Sequence, residues 1–262
     1  MNRFPRTALF PLLLALVATG QAHAQDSDEQ SSYTLTSNVA FTSNYVSRGF
    51  TQSWDQPALQ GGIDYVHSSG FYAGTWASSI SGTEFRGGNI EWDFYAGYAG
   101  KAGPLGYVLG LYQYTYPGTS SPSIGNHNYD YTEARVGVSH GIVSLDAYVT
   151  ISGNYFGTFE DSSGKVVYYD FNVKPDLGHG YTLLVHAGAG RFSDHPEANW
   201  IDYKLGVTKT LPKGWTVSAA VTATHDKDDY WVGSNFSIDP SGDTYTRDLA
   251  KSAFIVTVGK TF

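Results

Sequence analysis

AFIVTVGKTF, residues 253–262, alternates apolar side chains with small or polar ones and finishes on an aromatic residue. Phe254, Val256 and Val258 share one parity with Phe262, and this period of two predicts a β-strand with one apolar face. Lys260 interrupts that face, but a lysine near a strand end can keep its stem on apolar surface and extend its ammonium group to water.

The same strand has the features of a signal for membrane assembly. An alternating apolar strand that ends on Phe is similar to the terminal signal that barrel-assembly machinery reads in bacterial outer-membrane proteins. We therefore predict that Phe254, Val256, Val258 and Phe262 face lipid and form an assembly signal.

The composition extends the β prediction to the rest of the chain. The sequence has 30 Gly, 20 Tyr, 14 Phe and 6 Trp beside a single Met, which favours sheet over helix. It has no cysteine, so disulfides, thiolate nucleophiles and Cys-ligated metals are excluded. The 16 basic and 24 acidic residues leave a net charge of -8, which makes nucleic acid an improbable partner.

The N-terminal segment has the pattern of an export signal. Arg3 and Arg6 precede an apolar stretch, and Ala22-His23-Ala24 provides small residues for cleavage. We predict a signal peptide at residues 1–24, which is removed, a flexible acidic lead-in at residues 25–32, and one β domain at residues 33–262. A membrane-spanning helix would need about 20 apolar residues, and the stretch is too short for one.

Period-two alternation predicts about twelve strands in the β domain. The third strand is ambiguous, because Tyr72, Trp76 and Ile80 compete with Phe71, Ala73 and Ala77 for the apolar face. Connections between strands alternate between short turns rich in Gly, Pro and Ser and longer loops. That alternation is typical of an outer-membrane barrel with short periplasmic turns and longer extracellular loops.

Alternation alone also fits a soluble β-sandwich. Segment lengths near the 9 to 11 residues that cross a bilayer favour the barrel, as do aromatic side chains near the short turns, such as Tyr65, Tyr98 and Trp215. We predict an all-β fold, a single closed antiparallel transmembrane barrel in the outer membrane of a Gram-negative bacterium.

The parity opposite the apolar face carries charged side chains in mid-strand, and Arg48 lies near the rim. Seven acidic and four basic residues are predicted to line a pore, with a net charge of -3 and a mild preference for cations: Arg48, Asp64, Glu91, Asp93, Glu133, Arg135, Asp146, Asp170, Lys174, Asp202 and Lys204. The same charges, with bulky tyrosines, would instead pair and fill a narrow barrel. Tyr95, Tyr112, Tyr114, Tyr148 and Tyr168 are those tyrosines.

The stretch FTSNYVSRGFTQSWDQPALQGGIDYVHSSGFYAGTWASSIS, residues 41–81, resembles the TorF-type porin family of bacterial outer-membrane proteins. The markers include Ser43-Asn44-Tyr45, Arg48-Gly49, Gln52 and Gln60-Gly61-Gly62, with weaker echoes in residues 91–100 and 154–157. The resemblance implies a porin-like barrel and brings no catalytic residues.

We therefore expect a porin-like channel for passive diffusion of small solutes, without a cofactor or bound metal and without enzymatic activity. The expected partners are the outer-membrane bilayer, the barrel-assembly machinery and the solutes. Two alternatives stay open. One is a non-conducting barrel that serves as an adhesin or scaffold, and the other is an outer-membrane hydrolase with a Ser/His pair, although His140, His186 and His225 lie in no recognisable nucleophile motif.

Overall fold

The computed structural model describes residues 31–120, 128–153, 155–156, 166–227, 229–232 and 248–262. The predicted signal peptide at residues 1–24 and most of the lead-in at residues 25–32 lie outside the described residues. In the described part of the chain, no helix is long and apolar enough to cross a membrane.

Twelve long strands and three short ones build the molecule. They are β1 (Tyr33–Thr42), β2 (Val46–Ser47), β3 (Phe50–Thr51), β4 (Ala58–His67), β5 (Phe71–Ser79), β6 (Ile90–Ala102), β7 (Leu105–Thr115), β8 (Tyr131–His140), β9 (Val143–Thr150), β10 (Val166–Val173), β11 (Asp176–Gly178), β12 (Tyr181–Phe192), β13 (Trp200–Thr210), β14 (Trp215–Asp226) and β15 (Ala253–Thr261). Single 3-10 turns lie at Pro196–Ala198 and Pro212–Gly214.

The long strands form one closed antiparallel ring. Sequential neighbours pair along the chain, β10 pairs with both β9 and β12, and β1 pairs with β4 on one side and β15 on the other. Phe41 lies opposite Val258 in the closing pair. Because a closed ring has no edge strand, its backbone donors and acceptors pair within the sheet, as a bilayer requires. The predicted twelve-stranded barrel is confirmed.

The two faces of the sheet differ as the alternation predicts. On β7, Leu109 and Leu111 are about half exposed on the outside, whereas Tyr112 and Tyr114 are buried inside. An aliphatic exterior around a packed polar interior is the reverse of a water-soluble domain, and it suits a lipid surround.

The structure resolves the ambiguous third strand, β5. Phe71 points outward with 62% of its surface exposed, and Tyr72 points inward with 5% exposed. The inner face has room for the Tyr72 ring because Gly97 and Gly110 lie beside it: a Cβ on either glycine would approach the Tyr72 hydroxyl oxygen to 2.5 or 2.4 Å. Ala73 and Ala77 therefore share the outer face with Phe71.

Connections differ at the two ends of the barrel. At the end where β1 begins and β15 finishes, neighbouring strands are joined by turns of a few residues, with the short strand β11 in the longest of them. At the opposite end the connections are longer, and the described parts include residues 43–57 and 80–89. This asymmetry agrees with the alternation of short and long connections in the sequence.

Aromatic and basic side chains meet near the short turns. The Lys260 ammonium lies 5.1 Å from the ring centroid of Phe262 and 5.9 Å from that of Trp215, and it donates to the carbonyl oxygen of Lys213. The Lys209 ammonium lies 4.0 Å from the ring centroid of Tyr181. Phe254, Val256, Val258 and Phe262 all point outward, while their role as an assembly signal stays a prediction.

The outer face generates a stability prediction. Leu109, near the middle of β7, points outward, so Leu109→Arg places a charge in hydrocarbon. We expect it to lower the free energy of unfolding of the barrel in liposomes by about 2–4 kcal/mol, and Leu109→Ala to lower it less. Urea titrations of both variants measure the difference. An arginine variant as stable as the alanine variant would contradict a lipid-facing Leu109.

Candidate functional site in the barrel lumen

The connection between β1 and β4, residues 43–57, folds into the barrel instead of standing above it. Its centre is a tight hairpin in which β2 and β3 pair across Arg48 and Gly49. These two residues have φ values of 49° and 91°, the left-handed pair of a two-residue hairpin turn, and glycine adopts such values without strain. We call residues 43–57 the lumen hairpin.

The lumen hairpin crosses the barrel from one wall to the other. Both terminal nitrogens of Arg48 donate to the Glu133 carboxylate of β8, at 2.8 and 2.6 Å. The guanidinium also lies over the rings of Tyr148 on β9 and Tyr168 on β10, 5.1 and 4.5 Å from their centroids. Strand β9 is six pairings away from β1 in either direction around the ring, so the hairpin spans the lumen.

A second wall holds the backbone of the hairpin turn. The Trp200 indole nitrogen on β13 donates to the carbonyl oxygen of Arg48 at 2.9 Å, and the Thr224 hydroxyl on β14 donates to that of Gly49 at 2.8 Å. A Cβ at Gly49 would lie 2.4 Å from the Thr224 hydroxyl oxygen and 2.7 Å from Asp202 Cβ. Only glycine fits between the turn and this wall.

The base of the lumen hairpin has its own hydrogen-bond network. The Asn44 side-chain oxygen accepts from the Thr51 hydroxyl at 2.6 Å, and its amide donates to Asp55 at 2.9 Å. Lys251, just before β15, pairs with Asp55 at 2.6 Å. Several residues that carry the porin resemblance, Asn44, Arg48 and Gly49 among them, are thus the residues that shape and anchor this hairpin.

Aromatic side chains fill the space around the hairpin. Tyr112, Tyr114, Tyr148 and Tyr168, which the alternation predicts to be inward and bulky, are buried, and Tyr95 is half-buried. Phe50 of the hairpin packs edge to face against Trp200, with ring centroids 5.3 Å apart. The lumen at this level is a packed interior.

Two further charge clusters lie on the inner face. Arg135 Nε donates to Asp146 at 2.7 Å and its Nη1 donates to the Tyr112 hydroxyl at 3.0 Å, all buried between β7, β8 and β9. His186 on β12 lies between Asp170 and Asp202, with ring nitrogens 3.0 and 2.9 Å from their carboxylates. A neutral imidazole donates from one nitrogen only, so this geometry suits the imidazolium form.

The other predicted pore-lining residues are less tightly engaged. Asp64 accepts a hydrogen bond from Tyr95 at 2.6 Å. Lys174 is exposed and lies near the Asp170 and Asp146 carboxylates, and Lys204 is half-buried near Asp202 and Asp170. Glu91 and Asp93 are buried next to each other on β6. Arg48 lies inside the barrel near the end with the long connections, because the hairpin carries it there and its partners Glu133 and Trp200 are the third residue of β8 and the first of β13.

Three residues that matter here were not predicted to line the lumen. Trp200 and Thr224 hold the hairpin turn, and Tyr45 packs edge to face on Trp76 at 5.5 Å. Trp200 and Thr224 occupy inward-facing positions of their strands. The alternation of the sequence predicts that much and nothing further about them. Their contact with residues 48 and 49 is a tertiary feature.

The Arg48–Glu133 pair generates a test of the hairpin. Because the chain has no cysteine, Val46→Cys provides a single buried thiol on the hairpin. We expect Glu133→Gln to raise the thiol labelling rate about tenfold or more, since charge-assisted hydrogen bonds contribute about 1.5–3 kcal/mol. Glu197→Gln, an exposed carboxylate in an outer loop, is the matched control. Equal labelling rates in the two variants would contradict the anchoring role of Glu133.

Comparison with known proteins places this barrel in a family. Residues 26–262 match the family described as "Bacterial protein of unknown function (Gcw_chp)". A solved KdgM porin aligns over 87% of this chain and 98% of its own, at 9% identity and a TM-score of 0.52. A second structure, of the KdgM porin in complex with disordered oligogalacturonate, aligns over the same shares at 7% identity and a TM-score of 0.50.

At these identities the solved structures share the fold alone. No curated protein matches the sequence. The narrower resemblance to the TorF-type porins stays a prediction. The match of the family model over nearly the whole chain shows that this protein belongs to the Gcw_chp family of bacterial proteins.

Proposed function

We propose that the protein is a porin-like channel in the outer membrane of a Gram-negative bacterium, through which small solutes diffuse passively. The observation that carries this proposal is the distribution of ionisable groups: acidic and basic side chains line the inside of a closed barrel whose outside is apolar. A barrel that served only as an anchor would not need a charged interior. The fold shared with solved porins supports the same conclusion.

The proposed orientation follows from the connections. The short turns lie in the periplasm and the longer connections face the exterior, as in outer-membrane barrels generally. Export would use residues 1–24, and insertion would use the barrel-assembly machinery, with Phe254, Val256, Val258 and Phe262 as the signal. The aromatic side chains around Lys260 and Lys209 then lie at the periplasmic interface.

The proposed mechanism is diffusion limited by the lumen hairpin. Arg48, through its contacts to β8 and β13, and Gly49, through its contact to β14, hold residues 43–57 across the lumen, so the hairpin sets the narrowest level of the path. Only small solutes would pass beside it, and larger ones would require it to move. The protein supplies shape and charge to this process, and we assign it no cofactor and no catalytic step.

Charge gives the proposed channel its preference for cations. Two of the basic residues, Arg48 and Arg135, are paired with Glu133 and Asp146. Five acidic residues then remain against Lys174 and Lys204, which gives a formal net charge of -3, and a protonated His186 would reduce its magnitude. Fixed negative charge in a narrow path attracts cations and repels anions.

Planar-bilayer recording of the refolded protein tests the channel and its selectivity. We expect a small conductance whose reversal potential in a salt gradient has the sign of cation preference. Arg48→Ala removes the anchor of the hairpin and should raise the conductance several-fold. Arg86→Ala, which removes the same charge from the loop between β5 and β6, is the control and should leave it unchanged.

Two outcomes would contradict the proposal. A reversal potential of the opposite sign would contradict cation preference while leaving the channel intact. An absence of current from both the wild-type protein and the Arg48→Ala variant would contradict the channel itself.

The second candidate function is a non-conducting barrel that displays its long loops as an adhesin or scaffold. The packed tyrosines and the network that fastens the lumen hairpin favour it. A hydrolase has less support: among the described residues, the hydrogen-bond partners of His186 are carboxylates, an amide and a tyrosine hydroxyl. Release of fatty acid from phospholipid by the purified protein would revive the hydrolase hypothesis.

A further inference from the structure

We propose that Glu91, Asp93 and Tyr114 form a binding site inside the lumen for the primary ammonium group of an organic solute. This inference deepens the proposed channel function, because it names a class of solute that the cation preference would serve. It rests on unsatisfied polar atoms, on the local charge balance and on the aromatic surroundings of the two carboxylates.

Three polar atoms at this place lack a hydrogen-bond partner among the described residues. They are Glu91 Oε2, Asp93 Oδ1 and the Tyr114 hydroxyl. All three residues are at least 95% buried. The other oxygen of Glu91 accepts from the Tyr116 hydroxyl at 2.9 Å, and the Tyr45 hydroxyl of the lumen hairpin also interacts with this carboxylate. A buried polar atom without a partner is costly, so three of them on neighbouring residues point to a ligand group that would pair with them.

The register of the sheet places these residues on one surface. Glu91 and Asp93 are two positions apart on β6 and therefore share its inner face. Tyr114 on β7 lies directly opposite Asp93 in the antiparallel pair, where facing Cβ atoms are about 4.5–5.5 Å apart. The unsatisfied atoms thus belong to side chains that can address a single ligand.

The local charge is not balanced by the protein. The nearby cation is Arg48, and both of its terminal nitrogens are used by Glu133. Glu91 and Asp93 are left as two buried carboxylates beside each other with no cation of their own among the described residues. Like charges this close repel, and a bound cation removes the repulsion as well as the desolvation cost.

Aromatic rings surround the carboxylates. Trp76 on β5 lies opposite Asp93 on the side away from Tyr114, and Tyr45 of the lumen hairpin packs against Trp76. Rings beside carboxylates favour an organic cation, which gains cation–π attraction and apolar contact at once. The described residues contain no group of three or more His, Asp or Glu side chains that could hold a metal ion.

The number of donors selects a primary ammonium group. Such a group carries three N–H donors, and the site offers three acceptors without partners, two of them on carboxylates. A quaternary ammonium ion has no N–H and would leave all three acceptors unsatisfied. An alkali-metal ion prefers a shell of several oxygen ligands, which a site walled partly by aromatic rings does not supply.

A third carboxylate extends the site toward the outer end of the barrel. Glu84, in the loop between β5 and β6, has a buried Oε2 without a partner among the described residues. Burial raises the pKa of Glu84, and the nearby Glu91 and Asp55 carboxylates raise it further. Glu84, Glu91 and Asp93 therefore form a line of acidic groups that leads from a long loop into the lumen.

Calorimetric titration of the full-length refolded protein with n-propylammonium chloride tests the site. We expect saturable binding to the wild-type protein, and binding of tetramethylammonium that is about tenfold weaker or more. Glu91→Gln and Asp93→Asn should each weaken propylammonium binding about tenfold, since each removes a charge-assisted hydrogen bond. Asp194→Asn, which removes an exposed carboxylate from an outer loop, is the control and should bind as the wild-type protein does.

Tyr114→Phe keeps the test decisive if a carboxylate variant does not fold, because it removes one hydroxyl and no charge. We expect it to weaken propylammonium binding several-fold. Electrophoresis with and without heating, which distinguishes folded from unfolded barrels, shows whether each variant folds. Absence of binding to the wild-type protein, or equal binding to Asp93→Asn and Asp194→Asn, would overturn the site.

This outcome is separate from that of the bilayer recording. A protein that conducts but does not bind propylammonium contradicts the site alone. A protein that binds propylammonium through Asp93 but passes no current, either as the wild type or as the Arg48→Ala variant, supports the site and contradicts the channel.

Discussion

Closure of the sheet is the constraint on which the rest of the structure depends. A strand in hydrocarbon must pair its backbone on both sides, so β1 has to meet β15. Once the ring is closed, period-two alternation divides every strand between lipid and lumen. The lumen then receives the charged side chains of the mid-strand positions, such as Asp93, Arg135 and Asp146, and it has to accommodate them at one fixed circumference.

A ring of twelve strands poses a packing problem that smaller barrels do not. Side chains alone fill a barrel of about eight strands, and about sixteen leave an open channel. Here tyrosine, tryptophan and the lumen hairpin together occupy the intermediate width. This explains the composition: glycines on the inner face give the rings room, as Gly97 and Gly110 do for Tyr72. The many Gly and Tyr residues therefore depend on each other, because glycines leave the space that the tyrosine rings fill.

The sequence predicted what depends on local periodicity. The outward parity of Leu109 or Val258 follows from alternation, because an apolar face in lipid admits little else. The third strand was ambiguous because Phe71 and Tyr72 are both aromatic, and only the glycines of other strands decide which ring fits inside. The site was harder to predict. Arg48 meets Glu133 from 85 positions away and Trp200 from 152, and no local pattern encodes such contacts.

The lumen hairpin also contacts the place where the barrel closes, between β1 and β15. It leaves β1 at Ser43, whose backbone nitrogen donates to the Val256 carbonyl at 2.9 Å, and further along the backbone nitrogen of Thr51 donates to the Leu249 carbonyl at 2.9 Å. With the Asp55–Lys251 pair, it ties the approach to β15 to the segment that follows β1. The hairpin thus fills part of the lumen and also joins the first strand of the barrel to the last. Barrel closure and lumen occlusion share the same contacts, so any movement that widens the path also loosens the joint between the first and last strands.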